Sequence, residues 1–152
     1  MKSTSEAAFE TAIEGHLLSN GYVRHASKDF NAELAFFPEI ALQFIRVTQP
    51  KVWAKLEALH QEKTGERVIV ALSKWMDTHG VLATLRHGFK CYGKTLRIAF
   101  FKPAHDLNPD LATHYAGNIL GITRQLHFST KRPKDSLDVT LSVNGLPLIL
   151  LC

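Results

Sequence analysis

The fold is decided by the stretch Asp138-Val-Thr-Leu-Ser-Val-Asn144-Gly145-Leu-Pro-Leu-Ile-Leu-Leu-Cys152. Apolar residues on both sides of an Asn-Gly pair are a strong local signal for a β-hairpin. The first predicted strand carries one acid, Asp138, and the second is wholly apolar, as is typical of a strand buried inside a sheet. Two interpretations stay open: a docked C-terminal strand, or a fragment of a larger protein whose missing part includes some of its chemistry.

Helical patterns fill most of the sequence before this hairpin, and strand patterns dominate the last third. Proline is favoured at the first position of a helix, so Pro38 and Pro50 each open one. We predict helices over residues 3–20, 38–47, 50–63, 66–79 and near 82–86, and strands over 22–24, 95–102, 122–128 and the hairpin. Helices followed by an antiparallel-rich sheet predict an α+β (mixed α/β) fold, in a single domain over residues 1–152.

The opening helix has both an apolar stripe and an acidic line. Ser3 and Glu6 have the spacing of a capping box, and Gly21 is placed to end the helix. Residues spaced three and four apart share one helix face. The stripe predicted to face the core consists of Phe9, Ala12, Ile13, His16 and Leu17, and the line predicted to be solvated consists of Glu6, Glu10 and Glu14.

Composition limits the classes of protein to which the chain could belong. A hydrophobic content of 45% with 21% charged residues is ordinary for a globular domain. No run of 18 apolar residues predicts a membrane helix, and the first residues lack the apolar core of a signal peptide. The two cysteines show no metal spacing, and a cytoplasmic protein fits best. The net charge of +4 permits a polyanionic partner without requiring one.

The chemistry in the sequence centres on Asp138 and the basic residues just before it. A carboxylate in an apolar strand is costly to bury unless it is paired or binds a metal. Lys131, Arg132 and Lys134 precede it and could contact phosphates. This pattern suits a divalent metal site acting on a phosphodiester. The residues alone favour the alternative, a strand-end aspartate in a turn that pairs with Lys134 or Arg132, because aspartates are common in turns.

These residues resemble the nuclease core of the restriction (R) subunit of type I restriction-modification enzymes. In that family an acid-bearing strand, the phrase Val-Asn-Gly-Leu-Pro-Leu and a Glu-x-Lys strand form a PD-(D/E)XK nuclease site. The resemblance covers the whole sequence and is specific in its last fifteen residues. Looser matches are Glu6-Ala-Ala-Phe9-Glu10 with Gly21-Tyr22, Leu85-Arg86-His87-Gly88-Phe89-Lys90, and Arg124-Gln125.

The resemblance implies a restriction-endonuclease-like core that is incomplete at its active site. Asp138 matches the metal-binding acid, and Glu10 matches a first-helix glutamate that assists it, with Glu14 as a rival. The second acid belongs at position 152, where this sequence has Cys152, and the lysine belongs at 154. The implied cofactor is Mg²⁺, with ATP used only by motor domains that this sequence lacks. The implied partners are DNA and the methylation and specificity subunits, with no membrane partner.

The resemblance also predicts a hairpin register and an activity. A three-residue loop with a bulge at Gly145 pairs Ser142 with Leu146 and places Asp138 and position 152 on one face of the sheet. A two-residue turn would do so only with a compensating bulge. We expect a chain with this sequence not to cut DNA. We expect it to bind DNA weakly through Lys131, Arg132 and Lys134. Two other functions stay open: a non-catalytic module that contacts DNA or partner subunits, and an unrelated basic α+β domain.

Overall fold

The computed structural model describes residues 4–105 and 107–151, and of Leu150 and Leu151 it describes the backbone alone. The chain is mixed α/β, with a four-stranded mixed sheet and a separate two-stranded sheet. It divides into two compact units, Met1–Phe37 with Ile119–Cys152, and Pro38–Asn118. The single-domain organisation expected from the sequence stays a prediction. No helix within the described residues is long and apolar enough to cross a membrane.

The first unit combines one helix with the four-stranded sheet. Helix α1 spans Thr4–Ser19, and strand β1 spans Val23–Arg24. The later strands are β4 (Leu120–Leu126), β5 (Leu137–Val143) and β6 (Leu146–Leu151). The strand order is β1-β4-β5-β6, in which β1 runs parallel to β4 and the other neighbours are antiparallel. The buried apolar residues of this unit include Phe36, Phe37, Ile122, Leu126, Val139 and Leu146.

The second unit is mainly helical. It contains α2 (Pro38–Thr48), α3 (Pro50–His60), α4 (Thr64–His79), α5 (Val81–His87) and α6 (Pro109–Ala116), with the hairpin of β2 (Phe89–Cys91) and β3 (Lys94–Leu96). Pro38 and Pro50 open their helices as predicted. The buried core includes Phe44, Ile45, Leu56, Val68, Leu72 and Phe89.

The predicted strand over 95–102 is wrong beyond Leu96, and side-chain amides explain why. The Gln49 amide donates to the Arg97 carbonyl at 2.8 Å and accepts from the Arg97 amide at 2.6 Å. The Asn118 side-chain amide likewise accepts from the Phe100 N–H at 3.1 Å and donates to the Phe100 carbonyl at 2.5 Å. These amides take the backbone bonds that a neighbouring strand would have made. The sequence also did not predict α6, which Asn108 caps by accepting from the Asp110 amide.

The register predicted for the terminal hairpin is also wrong. Asn144 and Gly145 have φ of 52° and 86°, as in a two-residue turn, and Val143 pairs with Leu146. A bulge then shifts the register, so that Leu141 pairs with Ile149 and Val139 with Leu151. Asparagine tolerates the left-handed conformation better than most residues, and Asn144 Oδ1 also accepts a hydrogen bond from the Ile119 amide at 2.6 Å. Cys152, predicted to share a face with Asp138, lies outside the described residues.

Helix α1 buries a different face from the one that the sequence predicted. Phe9, predicted to be in the core, is 68% exposed, whereas Glu10 is 6% exposed and Glu14 is also buried. Glu10 and Glu14 therefore face the protein, whereas Glu6 and part of the apolar stripe face solvent. The capping role predicted for Ser3 concerns a residue outside the described part of the chain.

Candidate active site around strand β5

Asp138 is the second residue of β5, one of the two inner strands of the sheet. It is half-buried, and its neighbours Leu137 and Val139 are buried. Because side chains alternate along a strand, Asp138 shares a face with Thr140 and Ser142 and is opposite to Val139. The predicted acid is thus on a strand, in a partly protected position.

The basic residues predicted to contact phosphates lie in the β4–β5 connection, which leads directly into Asp138. Lys131, Arg132 and Lys134 are all exposed. Arg132 forms a solvent-exposed ion pair with Asp135, with 3.5 Å between Nε and Oδ2. Such an exposed pair contributes little to stability and leaves the guanidinium accessible to an anion.

The glutamates of α1 are paired with arginines from the sheet. Arg124 Nη2 on β4 donates to Glu10 Oε2 at 3.0 Å, and its Nη1 donates to Thr11 at 3.2 Å. Arg24 Nη2 on β1 donates to Glu14 Oε1 at 2.8 Å. Burying a carboxylate requires a partner of this kind, and the two arginines therefore explain why α1 turns Glu10 and Glu14 inward.

The sheet register separates these ion pairs from Asp138. Arg124 is directly across from Val139, and cross-strand partners share a face. Glu10 therefore approaches the Val139 face, whereas alternation puts Asp138 on the other face. The geometry gives Glu10 the role of neutralising Arg124, and its role in a metal site, like that of Glu14, stays a prediction.

A polar strip on the Asp138 face was missed by the sequence reasoning. We define the polar strip as His25, Thr123, Thr140 and Ser142. Thr123 is directly across from Thr140, and Gly121 is directly across from Ser142. The three hydroxyl-bearing residues are buried. A period-two polar pattern within apolar strands, Thr140-x-Ser142, was the signal that could have revealed it.

His25 packs against the strip at the position of Gly121. A Cβ on Gly121 would collide with Cδ2 and Nε2 of His25 and would lie 2.6 Å from Ser142 Oγ. The Phe37 ring lies 5.6 Å from the imidazole, centroid to centroid. Burial lowers the pKa of His25 below its ordinary value, and the nearby Asp29 carboxylate opposes this shift. Burial therefore favours the neutral form of the imidazole.

The sequence also offers a cysteine and possible metal ligands away from this site. Cys91 is buried, and burial raises the pKa of its thiol, which makes it a poor nucleophile. Among the residues with described positions, no group of three or more His, Cys, Asp or Glu side chains could hold a metal ion.

Comparisons of the chain with protein-family models, with curated proteins and with solved structures found no match.

Proposed function

We propose that this chain is the N-terminal nuclease module of a type I restriction R subunit, with a restriction-endonuclease-like core. The observation that carries the proposal is Asp138, a half-buried acid on an inner strand that follows an exposed basic loop and pairs with the apolar strand β6. The phrase from Val143 to Leu148 in this hairpin is the specific part of the resemblance.

In the proposed site, Asp138 supplies one oxygen ligand, and Lys131, Arg132 and Lys134 hold the phosphate backbone. A bound Mg²⁺ would polarise the phosphate and lower the pKa of a water molecule. The position that the resemblance assigns to the second carboxylate is Cys152. Mg²⁺ prefers hard oxygen ligands to a thiol, so we expect weak metal binding and no DNA cleavage by this chain.

Restoring the second carboxylate tests the proposal. We expect Cys152→Glu to bind Mn²⁺ or Mg²⁺ measurably by calorimetry, and Asp138→Asn to abolish that binding in the same background. Asp135→Asn, which removes an exposed acid from the adjacent loop, is the matched control and should leave binding intact. Metal binding that is unaffected by Asp138→Asn would remove Asp138 from the site. Nicking of plasmid DNA by the unaltered chain would contradict the expected inactivity.

The second candidate is a non-catalytic module that contacts DNA or the methylation and specificity subunits. The exposure of Lys131, Arg132 and Lys134 favours this function independently of any metal. Phosphate contacts release counterions, so such binding falls steeply with salt. Two results together would favour this candidate over the first. DNA binding would depend on this loop, and neither Cys152→Glu nor Asp138→Asn would change metal binding.

A further inference from the structure

An apolar pocket lies where strands β4 and β5 meet the loop that connects them. Leu126 and Leu137 are cross-strand partners, and they are 1% and 8% exposed. The pocket has a volume of about 260 Å³ and is lined by Phe30, Ala35, Leu126, Phe128, Leu137 and Pro147. The side chains that line it are all apolar, so the pocket suits a ligand with apolar surfaces.

Two residues of the pocket wall are open to solvent. Ala35 is exposed and Phe128 is 41% exposed. The Phe30 ring is held edge-on against the Phe37 ring, with 5.3 Å between their centroids. Aromatic rings favour flat aromatic partners, and a polar group is costly to bury without a hydrogen bond. A flat ligand could therefore place its faces in the pocket and keep its polar edge in water.

The loop of residues 129–136, which we call the basic loop, joins two residues of the pocket wall, Phe128 and Leu137. It carries three cations and one acid. Lys131 follows Phe128 by three residues, and Lys134 precedes Leu137 by three. Because a chain spans at most about 3.6 Å per residue, both lysine Cα atoms lie within about 11 Å of a Cα atom of the pocket wall. The excess positive charge therefore borders the apolar pocket.

Hydrogen bonds fold the basic loop back on itself. At its base, Ser136 Oγ donates to Gln125 Oε1 at 3.2 Å. Within it, the Arg132 amide donates to Ser129 Oγ at 3.1 Å, and the Asp135 amide donates to the Arg132 carbonyl at 3.1 Å. A loop that is ordered before binding loses less entropy when it holds a ligand. The cations are thus arranged beside the pocket in advance.

We propose that the apolar pocket receives one unpaired base of single-stranded DNA, stacked on Phe128, while the cations of the basic loop contact the neighbouring phosphates. Single-strand-binding proteins combine a basic surface with aromatic side chains on which bases stack. A base within a duplex is already stacked and paired, so it would first have to leave the helix. This binding mode rests on the DNA contact proposed for the basic loop and specifies the form of DNA that it takes.

An abasic strand separates base contacts from phosphate contacts, because it keeps the charge of the backbone. We expect the unaltered chain to bind a thymine oligonucleotide about tenfold more tightly than an abasic strand of equal length, as one stacked base would provide. Phe128→Ala should remove this difference and leave the salt dependence of binding unchanged. Phe9→Ala, at an exposed position on α1, is the control and should keep the difference. Equal affinities of the unaltered chain for the two strands, measured by fluorescence anisotropy, would overturn the proposal.

A fluorescent base analogue in the thymine strand gives a second measurement that needs no variant. Its emission should fall when the unaltered chain binds, because stacking quenches it, and unchanged emission on the bound strand would overturn the stacked base. Phe128→Leu keeps an apolar side chain without the ring and should weaken the quenching. Binding of phosphatidylserine vesicles that requires Phe128, without any preference for a strand with bases, would assign the pocket to lipid and overturn the proposal.

The outcomes distinguish this binding mode from the proposed nuclease function. A preference for the strand with bases, in a protein whose Cys152→Glu variant binds no metal, would support the base pocket and count against the nuclease site. Metal binding by Cys152→Glu, with equal affinities of the unaltered chain for the two strands, would overturn the base pocket alone.

Discussion

Glu10 on α1 accepts a hydrogen bond from Arg124 Nη2 on β4 at 3.0 Å, across 114 positions of sequence. The carboxylate is buried and the arginine side chain is 28% exposed. A buried ion pair adds little net stability compared with an apolar pair, but removal of one partner leaves an uncompensated charge. The Glu10–Arg124 pair therefore fixes the orientation of α1 on the sheet.

Loss of the Glu10 charge should destabilise the protein markedly. We expect Glu10→Gln to lower the free energy of unfolding by about 2–3 kcal/mol, because Arg124 would be left partly buried without its counter-charge. Glu14→Gln is the matched control. Its partner Arg24 is 64% exposed, so it should cost about 0–1 kcal/mol. Urea denaturation of both variants makes the comparison, and equal losses would contradict the role assigned to Glu10.

Two glycine substitutions should have opposite effects. We expect Gly121→Ala to destabilise the protein by about 1–3 kcal/mol, since the added Cβ collides with His25 and crowds Ser142. Gly15→Ala should stabilise it by about 0.5–1 kcal/mol, because Gly15 lies inside α1 with open space around it. Thermal denaturation measures both changes. A second substitution, His25→Ala, should recover part of the Gly121→Ala loss, and failure to do so would place the collision elsewhere.

His25 should make stability depend on pH. Its pKa is lowered in the folded state, so the unfolded chain binds the proton more readily. Stability is therefore complete above the unfolded pKa of about 6.5 and falls as pH decreases from there towards the folded pKa. Urea denaturation between pH 7.5 and 5.5 should show this fall, and His25→Gln should flatten it. His16→Gln, at an exposed site on α1, should retain it, and the same pH dependence in all three proteins would contradict the assignment to His25.

DNA binding should depend on the basic loop and on salt. We expect the triple variant Lys131→Ala, Arg132→Ala, Lys134→Ala to bind a duplex more weakly than the unaltered chain at low salt. The slope of log affinity against log salt should fall by about 2–3, because each phosphate contact contributes about 0.9. The control replaces the exposed lysines Lys51, Lys55 and Lys63 with alanine. Fluorescence anisotropy measures the binding, and equal slopes for both triple variants would exclude specific phosphate contacts by the loop.

The sequence by itself determined the elements whose signals are local. Pro38 and Pro50 open their helices because proline has the required φ and needs no amide partner there. The Asn144-Gly145 pair sits at the turn of a hairpin, and Asp138 is on its first strand, as the alternation and turn residues predicted. These features depend on residues within a few positions of one another, and the mixed α/β class follows from their order.

Only the tertiary structure decided which residues meet. From the sequence, the glutamates of α1 are predicted to form a solvated face, because no residue near them in the sequence reveals that Arg24 and Arg124 lie beneath them. At the hairpin turn, the side chain and the amide of Asn144 both bond to Ile119, which lies on a different segment. The polar strip likewise forms only when His25 crosses β4 beside Gly121. Long-range pairings satisfy buried charges and buried polar groups, and a local pattern carries no information about the distant residue that does so.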